Sequence, residues 1–211
     1  MVNLGDSLSG PLLPLETARF LMAQEWTQLA GNHERQVLQL HADSGPSDVY
    51  ARAQLTQKEL DWIAGLRPSM RYAPDVFLCH GTPASDASAF LQTAGRNATA
   101  REVKQRLGGV DAALVACGHT HVARNVRCAR GQLIVNPGSV GQPAYADDHP
   151  HPHVIESGSP DARYAIVERR AGAWSVDLIA VSYDHQRMAA LARERCRPDW
   201  DIALRTGYMA A

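Results

Sequence analysis

Short apolar runs recur along the first two thirds of the chain, and helical patterns separate most of them. Five runs predict strands, at 2–4, 26–30, 76–79, 112–116 and 133–135. Each run is followed by a small group of Asp, Asn, His or Ser residues, usually beside a glycine. This alternation predicts βα units around a largely parallel sheet.

The segments between the runs contain helix start signals. Pro14 opens one predicted helix, and the pairs Thr56/Glu59 and Thr99/Glu102 have the spacing of capping boxes. A Ser-Gly-Pro-Ser-Asp turn is predicted at 44–48. The predicted helices cover 14–24, 34–42, a segment from 56 through 66, and a segment from 99 to the glycines at 108–109.

The last third has a different pattern. The segment 145–160 is predicted to be a loop, and its tract 147–153 alternates His with Asp and Pro. Two interpretations of the tract stay open: a solvated excursion, or a lid whose imidazoles approach a site. Residues 163–170 and 174–181 alternate as two antiparallel strands, and the tail 184–207 is predicted to be helical.

Composition narrows the class of protein. With 211 residues, 45% of them hydrophobic, and a formal charge of −1, the sequence predicts one globular domain over 1–211. A charge this close to zero gives no electrostatic reason to expect binding to nucleic acid or to an anionic membrane. Four irregularly spaced cysteines predict reduced thiols in a cytoplasmic protein. The sequence leaves the oligomeric state open.

The polar groups at the strand ends are the candidate chemistry. Parallel strands send their carboxyl ends to one edge of a sheet, where open α/β sheets bind ligands. One His-x-His alone would be weak support for a metal site. Because similar groups follow five runs, we expect them to converge on one crevice. The candidates are Asp6, Asn32, His33, His80, His119 and His121.

The ordered motifs resemble those of the calcineurin-like metallophosphoesterase superfamily. They are Gly-Asp at 5–6, Gly-Asn-His-Glu at 31–34, the strand-terminal His80, and Gly-His-Thr-His at 118–121. Asn-Pro-Gly-Ser-Val-Gly at 136–141 is similar to a signature of the small bacterial single-domain phosphodiesterase branch. The resemblance implies a four-layer α-β-β-α sandwich with two mixed sheets. It also implies hydrolysis of phosphoester bonds, with the choice between phosphodiesterase and phosphatase left open.

The resemblance also implies roles for the candidate residues. One metal ion would be held by a complete set, and a second would share Asp6 and keep only His121. His33 would be the catalytic residue, and it would donate a proton or a hydrogen bond to the leaving-group oxygen. Two divalent transition-metal ions are implied, with manganese preferred and iron, zinc or nickel as alternatives. The substrate would be a small phosphorylated molecule. The complete set is Asp6, Asn32, His80 and His119.

One departure from the family pattern concerns the start of the chain. The family opens with Asp-x-His on a strand upstream of Gly-Asp, whereas here no such motif precedes Asp6. A first strand and its helix are therefore expected to be missing, and the second metal site to be incomplete. Either the true start lies upstream of Met1, which we favour, or the chain is catalytically impaired. An impaired member would bind one metal or a phosphorylated ligand without turnover. A structural zinc protein is disfavoured because no Cys/His quartet has closed-site spacing.

Overall fold

The computed structural model describes residues 1–149 and 151–210 as an arrangement of short strands and helices. The helices are α1 (Pro14–Met22), α2 (Asn32–Leu38), α3 (Pro46–Gln54), α4 (Gln57–Ala64), α5 (Ala100–Leu107), α6 (His185–Glu194) and α7 (Pro198–Thr206). The strands are β1 (Val2–Asn3), β2 (Thr27–Gln28), β3 (Ser69–Ala73), β4 (Val76–Cys79), β5 (Gln92–Thr93), β6 (Arg96–Asn97), β7 (Leu114–Ala116), β8 (Arg124–Arg127), β9 (Leu133–Asn136), β10 (Ala144–Asp147), β11 (His153–Glu156), β12 (Ala162–Arg170) and β13 (Ala173–Val181). None of the described helices is long and apolar enough to cross a bilayer.

A mixed five-stranded sheet forms the centre of the fold. Its strand order is β3-β4-β7-β9-β8. The three middle strands are parallel, and the two edge strands are antiparallel to their neighbours. The middle strands are continuous apolar runs because both faces of the sheet are covered. The predicted α/β class is therefore confirmed.

Two different layers cover the sheet. On one face, α5 contributes Val103 and Leu107 to an apolar cluster that also contains Phe90 and Ile134. On the other face, side chains of β1, β12 and β13 pack against the sheet. This second layer consists of a parallel pair, β1–β2, and an antiparallel hairpin, β12–β13. Within the described residues no backbone ladder joins the two pieces.

The helices on the outside form two further clusters. Helices α1, α3 and α4 pack around Val37 of α2 and around Leu8. Helices α6 and α7 pack on each other around Trp200 and Leu204. The predicted capping boxes at Thr56 and Thr99 are both present, as are the predicted β12–β13 hairpin and the helical tail.

Three local predictions were wrong. The turn at 44–48 is the start of α3, with Gly45 at the N-cap and Pro46 at the first helical position. Helix α2 begins two residues earlier than predicted and ends at Leu38. The segment 145–160 is not all loop, because β10 and β11 pair as a hairpin. The hairpin has few apolar residues in alternation, so its sequence gave no strand signal. Pro150, within the predicted 147–153 tract, lies outside the described residues.

Candidate metal centre

The ends of the parallel strands bring the candidate residues together. His80 follows β4, and His119 and His121 follow β7, its parallel neighbour in the sheet. Asp6 and Asn32 come just after β1 and β2, which are also a parallel pair. The carboxyl ends of both pairs meet at one crevice, as the sequence predicts for parallel strands.

Asp6, His80 and His119 form a group of side chains that could together hold a metal ion. One donor atom from each lies within 4.8 Å of the other two. Asp6 Oδ2 is 2.9 Å from His80 Nε2, and His119 Nδ1 is 3.0 Å from Asn32 Oδ1. Two donors bound at ~2.1 Å and at right angles to one ion lie ~3 Å apart. Each of the two separations therefore fits a pair of neighbouring ligands on an octahedral ion.

His80 is oriented to present its Nε2 atom to this group. Its Nδ1–H donates to the Leu4 carbonyl oxygen at 2.6 Å, which leaves Nε2 to face the Asp6 carboxylate. Burial lowers the pKa of His80, but the charge of Asp6 raises it above its ordinary value. That Nε2 is buried and, within the described part of the chain, makes no well-directed hydrogen bond. A buried nitrogen without a partner is costly unless something binds it. The donor set and this orphaned atom fit a divalent cation.

His121 lies outside this three-residue group. Its Nδ1–H donates to the Gln142 carbonyl oxygen at 2.9 Å, which leaves Nε2 as its free atom. Burial lowers the pKa of His121 and, together with the charge of His80, lowers that of His119 to about 4. Both rings are therefore neutral at neutral pH, the form that binds metal ions. The pairing of His121 with Asp6 at a second ion stays a prediction.

Three of the predicted ligands have strained backbone. Asp6, His119 and His121 adopt left-handed φ values of 57°, 67° and 56°. Such conformations cost on the order of 1–3 kcal/mol each for residues other than glycine. Functional sites are where this cost is usually found, because the turn aims the side chain.

Two glycines let the Asp6 and Asn32 loops approach each other. A Cβ on Gly5 would lie 2.4 Å from the Gly31 nitrogen, and a Cβ on Gly31 would lie 2.1 Å from Asp6 Oδ1. Both distances are far below van der Waals contact. The Gly-Asp and Gly-Asn motifs are therefore needed as a pair to place the two ligands side by side.

The Glu34 carboxylate connects these two loops through hydrogen bonds. It accepts hydrogen bonds from the backbone N–H groups of Gly31, Asp6 and Ser7 at 2.7–2.8 Å. Burial and the nearby Asp6 carboxylate raise the pKa of Glu34, and the three donors oppose that shift. Glu34 therefore binds the backbone of both ligand loops and not the His33 imidazole, which is held by Asp48.

We expect Glu34→Gln to destabilise the protein. An amide has one acceptor oxygen, and its NH₂ group would face a backbone donor, so at least one buried N–H loses its partner. The expected loss is ~2 kcal/mol, which corresponds to a melting temperature lower by ~4–8 °C for a domain of this size. Thermal unfolding of the metal-free protein measures the change. Glu25→Gln, at an exposed site, is the matched control; an equal effect there would contradict the role of Glu34.

His33 is held by Asp48. The imidazole Nδ1–H donates to Asp48 Oδ1 at 2.8 Å, while the His33 backbone N–H donates to Asp6 Oδ1 at 2.9 Å. Burial lowers the pKa of His33, but the Asp48 hydrogen bond and the charges of Asp6, Asp48 and Glu34 raise it to about 9. His33 is therefore mainly protonated near neutral pH, with Nε2–H as its free donor.

Sequence reasoning missed Asp48. A signal for its helix was present, because Pro at the first helical position and an acidic residue in the first turn are typical of helix starts. No local pattern links Asp48 to His33, which is fifteen positions earlier and on another helix.

The side chain of Asn136 supports the loop after β7, which contains His119 and His121. Its side-chain N–H groups donate to the Gly118 carbonyl at 2.6 Å and to Thr120 Oγ1 at 3.1 Å. Its Oδ1 accepts from the Gly138 N–H at 2.9 Å. These contacts connect the end of β9 to the loop that contains His119 and His121.

The β10–β11 hairpin lies against His121. The Tyr145 ring meets His121 edge-on with centroids 5.1 Å apart, and His153 meets Tyr145 in the same way at 6.0 Å. Burial, then the charges of Asp147 and Asp6, raise the pKa of the Tyr145 hydroxyl. The His/Pro-rich tract is thus connected to the crevice through Tyr145, although His149 and His151 themselves are exposed.

Comparison with known proteins identifies the family. A family model for the calcineurin-like phosphoesterase superfamily domain matches residues 3–156, and the chain belongs to that superfamily. Membership places it among metal-dependent phosphoester hydrolases at the level of the superfamily, and the superfamily predicted from the motifs is confirmed. No curated protein sequence matches the chain significantly.

Two solved structures have a similar fold. A metallophosphoesterase from Sphaerobacter thermophilus superposes with a TM-score of 0.71 at 22% identity, covering 95% of this chain and 85% of that one. A hypothetical protein from Pyrococcus horikoshii OT3 gives 0.68 at 14% identity, covering 99% and 84%. The shared fold thus extends beyond residue 156.

Proposed function

We propose that this chain hydrolyses a small phosphorylated substrate, as a phosphodiesterase or phosphatase, at a centre for two divalent metal ions. The observation that supports it best is the group formed by Asp6, His80 and His119, with the orphaned His80 Nε2 beside the Asp6 carboxylate. This donor set of carboxylate, amide and imidazole, without thiolate, suits manganese first, with iron, zinc or nickel as alternatives.

The residues divide into two ligand sets. Asp6, Asn32, His80 and His119 would hold one ion, and Asp6 with His121 would hold the other. Divalent ions in such a site supply Lewis acidity, which neutralises phosphoryl charge and makes water a stronger nucleophile at neutral pH. The protein keeps the donors in place through the hydrogen bonds of His80 to Leu4 and of His121 to Gln142.

His33 would supply the proton that the leaving group needs. When the P–O bond breaks, its electron pair stays on the departing oxygen, and His33 Nε2–H gives that oxygen a proton. Asp48 holds Nδ1–H and stabilises the charged imidazolium before the transfer. A positioned acid of this kind contributes on the order of 10²–10⁴-fold to the rate.

A second candidate function is ligand binding without turnover. It is favoured by the incomplete second set, since two protein ligands do not fix the geometry of an ion. His33 with its Asp48 partner favours catalysis, because a pure binding protein has no need of an oriented proton donor. Metal content and turnover, measured on one preparation, separate the two functions.

We expect the purified chain to bind one ion tightly and a second weakly. After removal of metal by a chelator, the protein should hydrolyse neither p-nitrophenyl phosphate nor bis(p-nitrophenyl) phosphate. Titration with Mn²⁺ should restore turnover of at least one ester only as the weak site fills. Equilibrium dialysis with elemental analysis gives the stoichiometry, and the released nitrophenolate gives the rate.

A matched pair of variants locates the tight site. His80→Asn should lose the tightly held ion, whereas His41→Asn, at an exposed histidine, should keep it. If the tight site is filled and no turnover is seen at saturating Mn²⁺, the result would support the second candidate function, ligand binding without turnover. Full turnover by the chelated protein would contradict metal dependence.

A further inference from the structure

The hairpin β10–β11 touches the predicted ligand His121 in two ways. The Gln142 carbonyl, just before β10, accepts the hydrogen bond from His121 Nδ1 at 2.9 Å. Tyr145, within β10, places its ring edge-on to the same imidazole with the planes at 68°. The position of β10 is fixed by its ladder with β11, in which Tyr145 pairs with Ile155. Tyr145 is therefore held beside the crevice by backbone as well as by its ring.

The hydroxyl of Tyr145 has no partner in the described part of the chain. The ring is packed between His121 and His153, but no protein hydrogen bond to the hydroxyl accompanies these contacts. Tyr145 is half-buried, and a tyrosine that packs against other rings usually has a hydrogen-bond partner for its O–H. The ring of Tyr145 meets His121, which is two residues from His119, so its O–H group lies beside the crevice and is available to a molecule bound there.

We propose that Tyr145 is a substrate-binding residue whose hydroxyl donates a hydrogen bond to a phosphoryl oxygen of the bound ester. A charged phosphoryl oxygen is among the strongest acceptors for an O–H donor. The assignment rests on the proposed phosphoesterase function and adds a specific contact to it. Neither the ordered motifs nor the metal ligands include this residue.

A pair of substitutions separates the hydroxyl from the ring. Tyr145→Phe keeps both aromatic contacts and removes only the O–H group. On the Mn²⁺-loaded protein it should weaken the affinity for inorganic phosphate by about 10-fold and raise KM for p-nitrophenyl phosphate by a similar factor. Bound Mn²⁺ should not change. Tyr145→Leu removes the ring as well and should also lower the Mn²⁺ content, because His121 loses its aromatic neighbour.

Tyr72→Phe is the matched control. Tyr72 lies on β3 next to the start of β4, at the opposite end of that strand from His80, and is exposed. The Tyr72→Phe variant should have the same affinity for inorganic phosphate and the same KM for p-nitrophenyl phosphate as the wild type. Titration calorimetry with inorganic phosphate gives the affinity without requiring turnover.

The outcomes distinguish this assignment from the proposed function. Wild-type affinity and KM in Tyr145→Phe, in a protein that hydrolyses esters, would overturn the role of Tyr145 alone. A wild type that binds phosphate and hydrolyses neither ester would overturn the phosphoesterase, while a weaker affinity in Tyr145→Phe would still support the phosphoryl contact. No phosphate binding by the wild type would overturn both.

Discussion

Asp6→Asn is expected to abolish turnover and to reduce the metal content of the chain. Asp6 lies beside His80 and is the one predicted ligand common to both ions. Asparagine tolerates the left-handed backbone at this position and can still accept the His33 N–H, so the loop should keep its shape. What is lost is the negative charge that offsets two cations. Stabilisation of phosphoryl charge is worth several kcal/mol, which corresponds to a rate loss on the order of 10³-fold or more.

Elemental analysis and turnover of bis(p-nitrophenyl) phosphate test this expectation together. Asp61→Asn is the matched control, because Asp61 is exposed on α4 and its carboxylate accepts a hydrogen bond only from the Gln57 side chain among the described residues. It should behave as wild type in both measurements. If Asp6→Asn keeps two ions and more than a tenth of the activity, Asp6 does not bridge the ions.

His33→Ala is expected to slow hydrolysis while the metal stays bound. The side chain of His33 is not among the predicted ligands, and its ring is held by Asp48. The loss should be on the order of 10²–10⁴-fold for an ester with a poor leaving group. It should be much smaller for a nitrophenyl ester, because nitrophenolate departs with little help from an acid. Comparing phenyl phosphate with p-nitrophenyl phosphate measures this difference.

Asp48→Asn tests the partner of that acid. The amide can keep a contact with the imidazole but no longer stabilises the imidazolium, so the rate loss should follow the same dependence on leaving group and be smaller than in His33→Ala. His41→Ala, at an exposed histidine, is the control and should have no effect. Equal losses for both esters in His33→Ala would argue for a role in binding instead of proton transfer.

The candidate site was largely predictable because its residues follow strands. A buried strand is marked by its apolar run, and the residues directly after it must lie at the sheet edge, so Asp6, His80 and His119 could be grouped from sequence alone. Asp48 and Tyr145 were not predictable in this way. Neither residue directly follows a buried strand, because Asp48 lies within α3 and Tyr145 within β10, and their contacts depend on how separate elements pack.

The strands were predictable where the pattern of apolar residues fits a single type of secondary structure. The apolar runs of β4, β7 and β9 have length and flanking turns that suit only buried strands, and the alternation of β12 and β13 suits only a hairpin. The sequence did not predict β10 and β11, because their polar residues are held in a ladder by backbone pairing and by the contact with His121. It also did not predict that the second layer is divided into two pieces, since ladders between distant segments leave no local signal.

The left-handed backbone at Asp6, His119 and His121 has a consequence for engineering. Glycine or asparagine at the two histidine positions would relieve strain of on the order of 1–3 kcal/mol each. A laboratory selection for heat resistance alone would therefore favour those replacements and remove the imidazoles. At these two positions a replacement that raises thermal stability also removes a predicted metal ligand. A screen for stable variants therefore has to measure metal content in every round.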